Sequence, residues 1–240
     1  MQIFLTLTLN LTYFLFGYLM GSLNTSILFG KLTKKPDLRL YHSKNAGATN
    51  SLRVYGTKSA VIILLIDILK TFIVVLICKL ISKVINDYIT DEFLYRTNNV
   101  SLLTQKLYLI PLLGGIGVLL GNIFPVFYKF KGGKGVAGSV GLLISINITL
   151  LPIAAIFFFG LMFWKRYVSL ASVITSIAMI GFISIPWINS GFLSWVSGVE
   201  YNSYIITICL YIFNATMINF AHRENIKRLL KHQERKFGQK

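Results

Sequence analysis

Three short segments gather the residue types that bind anions. The first is Ser43-Lys44-Asn45-Ala46-Gly47-Ala48-Thr49-Asn50, followed by Arg53. It is dense in small hydroxyl, amide and glycine residues between cations. If Gly47 takes positive φ, successive backbone N–H groups can converge into an anion nest, with Ser43 and Thr49 adding hydroxyls. An ordinary capped loop, with Thr49 or Asn50 as N-cap, is the other reading. The second segment is Phe130-Lys131-Gly132-Gly133-Lys134-Gly135, at a helix start. Glycines let backbone approach a ligand closely, the helix N-terminus adds partial positive charge, and two lysines add full charge. It is not a Walker A loop, because Gly135 stands where Ser or Thr is needed. In the third segment, His222 and Asn225 are three residues apart and share one helical face. There a basic amphipathic helix follows the last apolar run, and its other use is to lie on anionic lipid. Ser169 and Ser172 share a face in the same way and read, alone, as small helix-packing residues.

The elements that must hold these segments are membrane helices. The chain has 240 residues, 55% hydrophobic and 13% charged. Five stretches carry no charge: 1–30, 107–128, 135–164, 167–199 and 201–221. Each exceeds the roughly 20 apolar residues that cross a bilayer core. That excludes a soluble enzyme, a secreted disulfide scaffold and a disordered chain. Expected helices are 3–28, 58–83, 105–124, 135–148, 150–164, 168–189 and 203–221, in a single integral-membrane domain over 1–240. The first run has no basic n-region or cleavage site and reads as a retained helix.

The formal net charge of +16 is assigned to the positive-inside rule rather than to nucleic acid. Most Lys and Arg fall in the loop 31–58, in 129–134, in Lys165-Arg166 and in the tail after Ala221. All four segments are expected in the cytoplasm, and the loops holding Asp87, Asp91, Glu92 and Glu200 outside. Because 129–134 and 165–166 share a side, the uncharged run between them must turn back. Asn147, Thr149 and Pro152 supply the break, which leaves segments 4 and 5 short. The expectation is an all-α bundle of seven membrane segments, N-terminus outside and C-terminus cytoplasmic. Asp67 and Lys70 lie at i and i+3 within the second helix, either as a self-neutralised structural pair or as a functional one. Cys78 and Cys209, inside apolar runs, read as small buried hydrophobes.

Taken together the motifs resemble the acyl-phosphate:glycerol-3-phosphate acyltransferases, a bacterial integral-membrane family. The likeness runs through Gly21-Ser22, Ser43–Arg53 (SKNAGATNSLR), Gly121–Ala137 (GNIFPVFYKFKGGKGVA), Arg166–Ser172 (RYVSLAS) and His222–Leu229 (HRENIKRL). The resemblance implies transfer of a fatty acyl group from acyl phosphate to the 1-hydroxyl of glycerol 3-phosphate, giving lysophosphatidate and phosphate, the first acylation of phospholipid synthesis. It implies that Ser43, Asn45, Gly47, Thr49, Asn50, Lys131, Gly132 and Gly133 bind the acyl phosphate. Arg53, Ser169 and Ser172 would hold glycerol 3-phosphate, and Lys134, His222 and Asn225 would be catalytic. The site would lie at the cytoplasmic face of the bacterial cell membrane, against lipid, with no metal and no cofactor.

The chain departs from the family pattern at three positions. His42 stands where Gly is usual, Thr71 follows the helix-2 lysine where Gly is usual, and Asn122 replaces a usual His. A hydrogen-bonding role at 122 is one that Asn can fill. No His has an Asp five residues on, so the His-x4-Asp motif of other glycerolipid acyltransferases is absent. The rival reading is an organophosphate or anion transporter, which would bind its cargo near the midplane with broken helices. A silent scaffold is a further reading. A CDP-alcohol phosphatidyltransferase would need clustered aspartates, and the acidic residues here are scattered.

Overall fold

In the computed structural model, residues 2–97, 107–190 and 203–238 are described, with side chains at 89–97 and 189–190 left aside. The described secondary structure is helical: α1 Gln2–Ser22, α2 Thr25–Leu32, α3 Ala48–Tyr55, α4 Thr57–Thr97, α5 Leu112–Ile123, α6 Val136–Ile146, α7 Leu150–Lys165, α8 Val168–Ile183, α9 Pro186–Ser190, α10 Tyr204–Ala221 and α11 Arg223–Leu230. Three stretches are long and apolar enough to cross a membrane: α1 with α2, Thr57–Tyr88 of α4, and α10. Four shorter apolar helical stretches, beginning at Leu112, Val136, Leu150 and Val168, accompany them.

Each departure from the expected elements has a local cause. The helix expected over 3–28 breaks at Asn24, whose side chain accepts the Ile27 N–H and caps α2. The helix expected over 58–83 continues to Thr97, so Asp87, Asp91 and Glu92 belong to α4 and not to a loop; no Gly or Pro interrupts that stretch. Glu200 lies outside the described residues. α5 begins only after Pro111, and α8 stops at Ile183 because Pro186 disfavours helix in the residue before it. The uncharged run 135–164 does break where expected. Asn147 is extended at φ −160°, and its Oδ1 accepts from both the N–H and the hydroxyl of Thr149. Pro152 is the third residue of α7, where its missing N–H costs nothing. Cys78 is buried as expected, whereas Cys209 is exposed on α10.

Two contacts bring the site segments to one end of the bundle. α1 packs along α5 through a seam of Gly17 and Gly21 against Gly114, Gly117 and Gly121. A Cβ on Gly17 or Gly117 would overlap the backbone of the opposite helix, so only glycine permits this approach. α4 packs on α3, α5 and α6, which sets the first motif beside the start of α6. Tyr18 donates to the Phe124 carbonyl at 2.8 Å, and the Ser22 hydroxyl accepts the Val126 N–H at 3.3 Å. The end of α1 thereby holds the start of the glycine-lysine loop.

Gly117→Val is expected to cost about 1–3 kcal/mol through overpacking of the α1–α5 seam. Gly181→Ala, where nothing lies within 4 Å of the added Cβ, is expected to be neutral. Thermal unfolding in detergent compares the two, and equal melting temperatures would show that the seam is slack.

Candidate active site

The first motif is half loop and half helix. Gly47 is the N-cap of α3 at φ −142°, so the positive-φ nest expected there is not formed, and Gly47 rather than Thr49 or Asn50 takes the cap. Left-handed backbone falls instead at His42 (φ 47°) and Lys44 (φ 55°). Asn50 is 2% exposed and staples the loop. Its amide donates to the carbonyls of Leu38 (2.9 Å), Asn45 (3.0 Å) and Tyr41 (3.2 Å), and its Oδ1 accepts the Ser43 N–H at 3.4 Å. That uses the donors of the amide and one lone pair of its oxygen. Asn50 thereby holds the loop in shape. Ser43 and Thr49 are exposed at its surface, and Asn45 is half-buried.

The glycine-lysine loop is laced onto that segment by backbone. The Ala46 N–H donates to the Gly132 carbonyl at 3.2 Å, and the Gly133 N–H donates to the Asn122 carbonyl at 2.9 Å. A Cβ on Gly133 would come within 2.7 Å of the Ala46 oxygen, and one on Gly132 would strike the Asn122 carbonyl and Pro125. These two glycines are needed for close approach, whereas Gly135, the N-cap of α6 at φ 76°, is needed for its dihedral. Lys131 is exposed. Lys134 turns inward, and its ammonium donates to Asn225 Oδ1 at 2.5 Å.

The third motif meets it there. α10 ends at Ala221, and α11 places Asn225 one turn beyond His222. The Asn225 amide orientation is determined by its partners: the oxygen faces a lysine donor, and the nitrogen donates to Glu234 Oε1 at 2.6 Å. His222 is 2% exposed. Its Nδ1 lies 2.9 Å from the Ile218 carbonyl. A carbonyl only accepts, so Nδ1 carries the hydrogen and Nε2 is left as an acceptor. Burial, and then the neighbouring Lys134 charge, push the His222 imidazole down to about 4, so it is neutral at pH 7. Burial also pushes Lys134 down to about 8, opposed by Glu234 and reinforced by Arg228 and Arg53.

Glu234 is the residue that sequence reading missed. Its Oε1 accepts from Ser169 (2.9 Å) and Asn225, and its Oε2 accepts from Arg228 Nε (2.8 Å). Burial alone would raise its pKa; the hydrogen bonds from Arg228, Asn225 and Ser169 outweigh that and hold the carboxyl below the usual range. Arg53, on the last turn of α3, is pulled below its ordinary value by burial and by Arg235, while Glu234 opposes the shift. The tail that carries Glu234 is tied back where the Phe237 N–H donates to the Arg166 carbonyl. One signal was legible: Glu234 is one of only two acids, with Glu224, in a tail otherwise rich in Lys and Arg. Ser169 thus joins the cluster, whereas Ser172 turns its hydroxyl back onto the Val168 carbonyl at 2.9 Å.

Arg53, Lys134, Ser169, His222 and Asn225 converge on one carboxylate among several cations, beside two interlocked phosphate-type loops. The chain matches the family described as glycerol-3-phosphate acyltransferase over residues 11–232. It is 47% identical over 236 residues to the glycerol-3-phosphate acyltransferase of Mycoplasmopsis synoviae, covering 98% of each chain. The chain belongs to this acyltransferase family. The corresponding protein of Mycoplasmopsis agalactiae is 40% identical, with 99% of this chain and 98% of that protein covered. Among solved structures, PlsY (YgiH), an integral membrane glycerol 3-phosphate acyltransferase, superposes in its glycerol 3-phosphate form with a TM-score of 0.70. The identity is 31%, over 95% of this chain and 96% of that one. Its lysophosphatidic acid form gives 0.69 at 30% identity. This acyltransferase is therefore a membrane enzyme of the PlsY type, helical in the secondary structure of its described residues.

Removing the Glu234 carboxylate from this acyltransferase strands three donors. Glu234→Ala is expected to cost about 1–3 kcal/mol and to expose the peptide bonds after Lys231 to protease. Glu234→Gln, which keeps an acceptor, is expected to lose less. Limited proteolysis with thermal unfolding checks both, and an unchanged cleavage pattern in the alanine variant would show that Glu234 does not hold the tail.

Proposed function

We propose that the enzyme transfers a fatty acyl group from acyl phosphate to the 1-hydroxyl of glycerol 3-phosphate, releasing lysophosphatidate and inorganic phosphate. The observation that carries this reading is Lys134: it leaves the glycine loop and donates to Asn225, beside His222 and within the field of Arg53. A site for two phosphorylated substrates needs cations and N–H donors at one point, next to an apolar surface for the acyl tail. The organophosphate transporter is disfavoured because these cations gather at loops and helix ends rather than halfway along the spans.

The acyl-phosphate group is assigned to Ser43, Asn45, Gly47, Thr49, Lys131, Gly132 and Gly133, in loops that Asn50 holds in shape. Glycerol 3-phosphate is assigned to Arg53 and Ser169, with Ser172 behind it. Lys134, His222 and Asn225 lie between the two. The substrate hydroxyl oxygen bonds to the acyl carbonyl carbon, and the carbon–oxygen bond to phosphate breaks. Lys134, with the loop N–H groups, stabilises the charge that grows on the departing phosphate. His222 Nε2 accepts the hydrogen bond of the hydroxyl and aims it. With a pKa of about 4 the imidazole is too weak a base to keep the proton, which passes to a phosphate oxygen. No enzyme-linked intermediate forms, and neither metal nor cofactor takes part. On this reading the site lies at the cytoplasmic edge of a single seven-segment bundle in the bacterial cell membrane, with segments 4 and 5 short, N-terminus outside and C-terminus inside. The support is the positive charge of every segment that meets there.

Purified protein supplied with acyl phosphate and glycerol 3-phosphate is expected to release phosphate in step with lysophosphatidate. Lys134→Ala and Asn225→Ala are each expected to abolish turnover while leaving a folded, monodisperse protein. Uptake of glycerol 3-phosphate into vesicles without acylation would overturn the reading in favour of transport.

A pH profile tests the same assignment. Lys134 must be protonated to act, so kcat/KM for acyl phosphate is expected to fall as pH rises through about 8. Below neutrality no limb from His222 is expected until about pH 4, since the active imidazole is neutral. An alkaline limb near the ordinary lysine value of about 10.4 would remove Lys134 from the site.

A further inference from the structure

The charged pair inside α4 belongs to no part of the chemistry above. Asp67 and Lys70 are joined at 3.0 Å, with side chains only 13% and 10% exposed. A buried ion pair is weak support for stability, since apolar replacements of similar volume are often neutral or better. What distinguishes this pair is where each charge ends.

The Lys70 ammonium donates to Asn122 Oδ1 at 2.9 Å, in the last turn of α5, and at 3.4 Å to the Leu23 carbonyl, just past the end of α1. Both are helix C-termini, where carbonyls lack partners and the dipole favours a cation. Asp67 Oδ1 accepts from the Thr25 hydroxyl at 2.6 Å, on the first turn of α2, where an anion is favoured. The pair therefore clamps the ends of three helices.

Those ends carry the loops. Asn122, held by Lys70 through its side chain, receives the Gly133 N–H on its backbone carbonyl. Asn24, next to Thr25, donates its side-chain amide to the Ala46 carbonyl at 3.3 Å. Ala46 in turn donates to Gly132. A closed hydrogen-bonded circuit results, running from Asp67 and Lys70 through Asn122 to the glycine loop, across to Ala46, and back through Asn24 and Thr25. Asn122 serves here as an acceptor only, a role that needs no titrating group, and Gly138 leaves room for its amide nitrogen.

We propose that Asp67 and Lys70 are positioning residues for the acyl donor: acting through Asn122 and Thr25, they hold the two phosphate loops in register and thereby set donor affinity. The claim rests on the assignment of the acyl phosphate to those loops. It predicts a selective defect. In Lys70→Met, KM for acyl phosphate rises about ten-fold, the worth of one hydrogen bond to a charged group, while KM for glycerol 3-phosphate stays within about three-fold. Lys70→Arg recovers most of the loss.

The register itself is read by electron–electron double resonance between nitroxides at Lys44 and Lys131, with both native cysteines replaced. The distance distribution is expected to broaden in Lys70→Met and to stay narrow otherwise. If Lys70→Met does not fold, Asn122→Leu and Asn122→His carry the same comparison. The leucine is expected to raise the donor KM about ten-fold, and the histidine, which can accept from Lys70, to leave it near wild type. A donor KM unchanged in Lys70→Met or Asn122→Leu overturns the proposal, as does equal weakening for both substrates, which marks a purely structural pair. If the wild-type protein does not use acyl phosphate at all, the functional reading fails on its own. The distance measurement then still decides whether the pair sets the loop register.

Discussion

The constraint on which this site depends is the accumulation of positive charge in a half-buried place. Arg228 and Arg53 act on Lys134, Arg235 acts on Arg53, and the Glu234 carboxylate opposes both shifts. Like charges so arranged repel and lose solvation. The structure answers by spreading the compensation. Lys134 is satisfied by the neutral oxygen of Asn225, and Asn225 by Glu234, which also takes Ser169 and Arg228. The depressed proton affinity of Lys134 is the residue of this strain. On the proposed reading a dianionic substrate relieves it, turning an unfavourable surplus of cations into binding energy.

Neutral groups do the orienting. A histidine kept uncharged by burial and by Lys134 keeps its Nε2 as an acceptor, the feature that the proposed reading uses to aim the substrate hydroxyl. Asn225 reads both ways, giving its oxygen to the lysine and its nitrogen to the carboxylate. Neither role survives replacement by a charged residue, which is why amides and an imidazole stand where the surrounding surface is lysine and arginine.

Backbone approach is the second theme, and it recurs at two scales. Between α1 and α5, glycines let two membrane helices touch through their main chains, where lipid supplies no hydrophobic drive for association. Between the loops, Gly132 and Gly133 let main chain from distant parts of the sequence exchange hydrogen bonds directly. In both places the missing side chain is the functional feature.

Much was legible in the residues alone. Uncharged runs longer than a bilayer span determine a membrane bundle. The spacing of His222 and Asn225 places them on one face, and Asn147 with Thr149 marks the break in a run too long for its charges. Local signals of this kind depend on neighbours within a few positions, so the chain states them directly. The allocation of partners was not legible. Asn50 spends its amide on its own loop, Ser169 and Ser172 parted company, and Glu234 entered the cluster from the tail. Ser169 and Glu234 are 65 positions apart, and Lys134 and Asn225 are 91 apart. Which of several chemically equivalent acceptors a side chain takes depends on which helix ends are packed together. Only the tertiary structure decided that, because a hydrogen bond requires its partners within about 3 Å and sequence pattern carries no such distance.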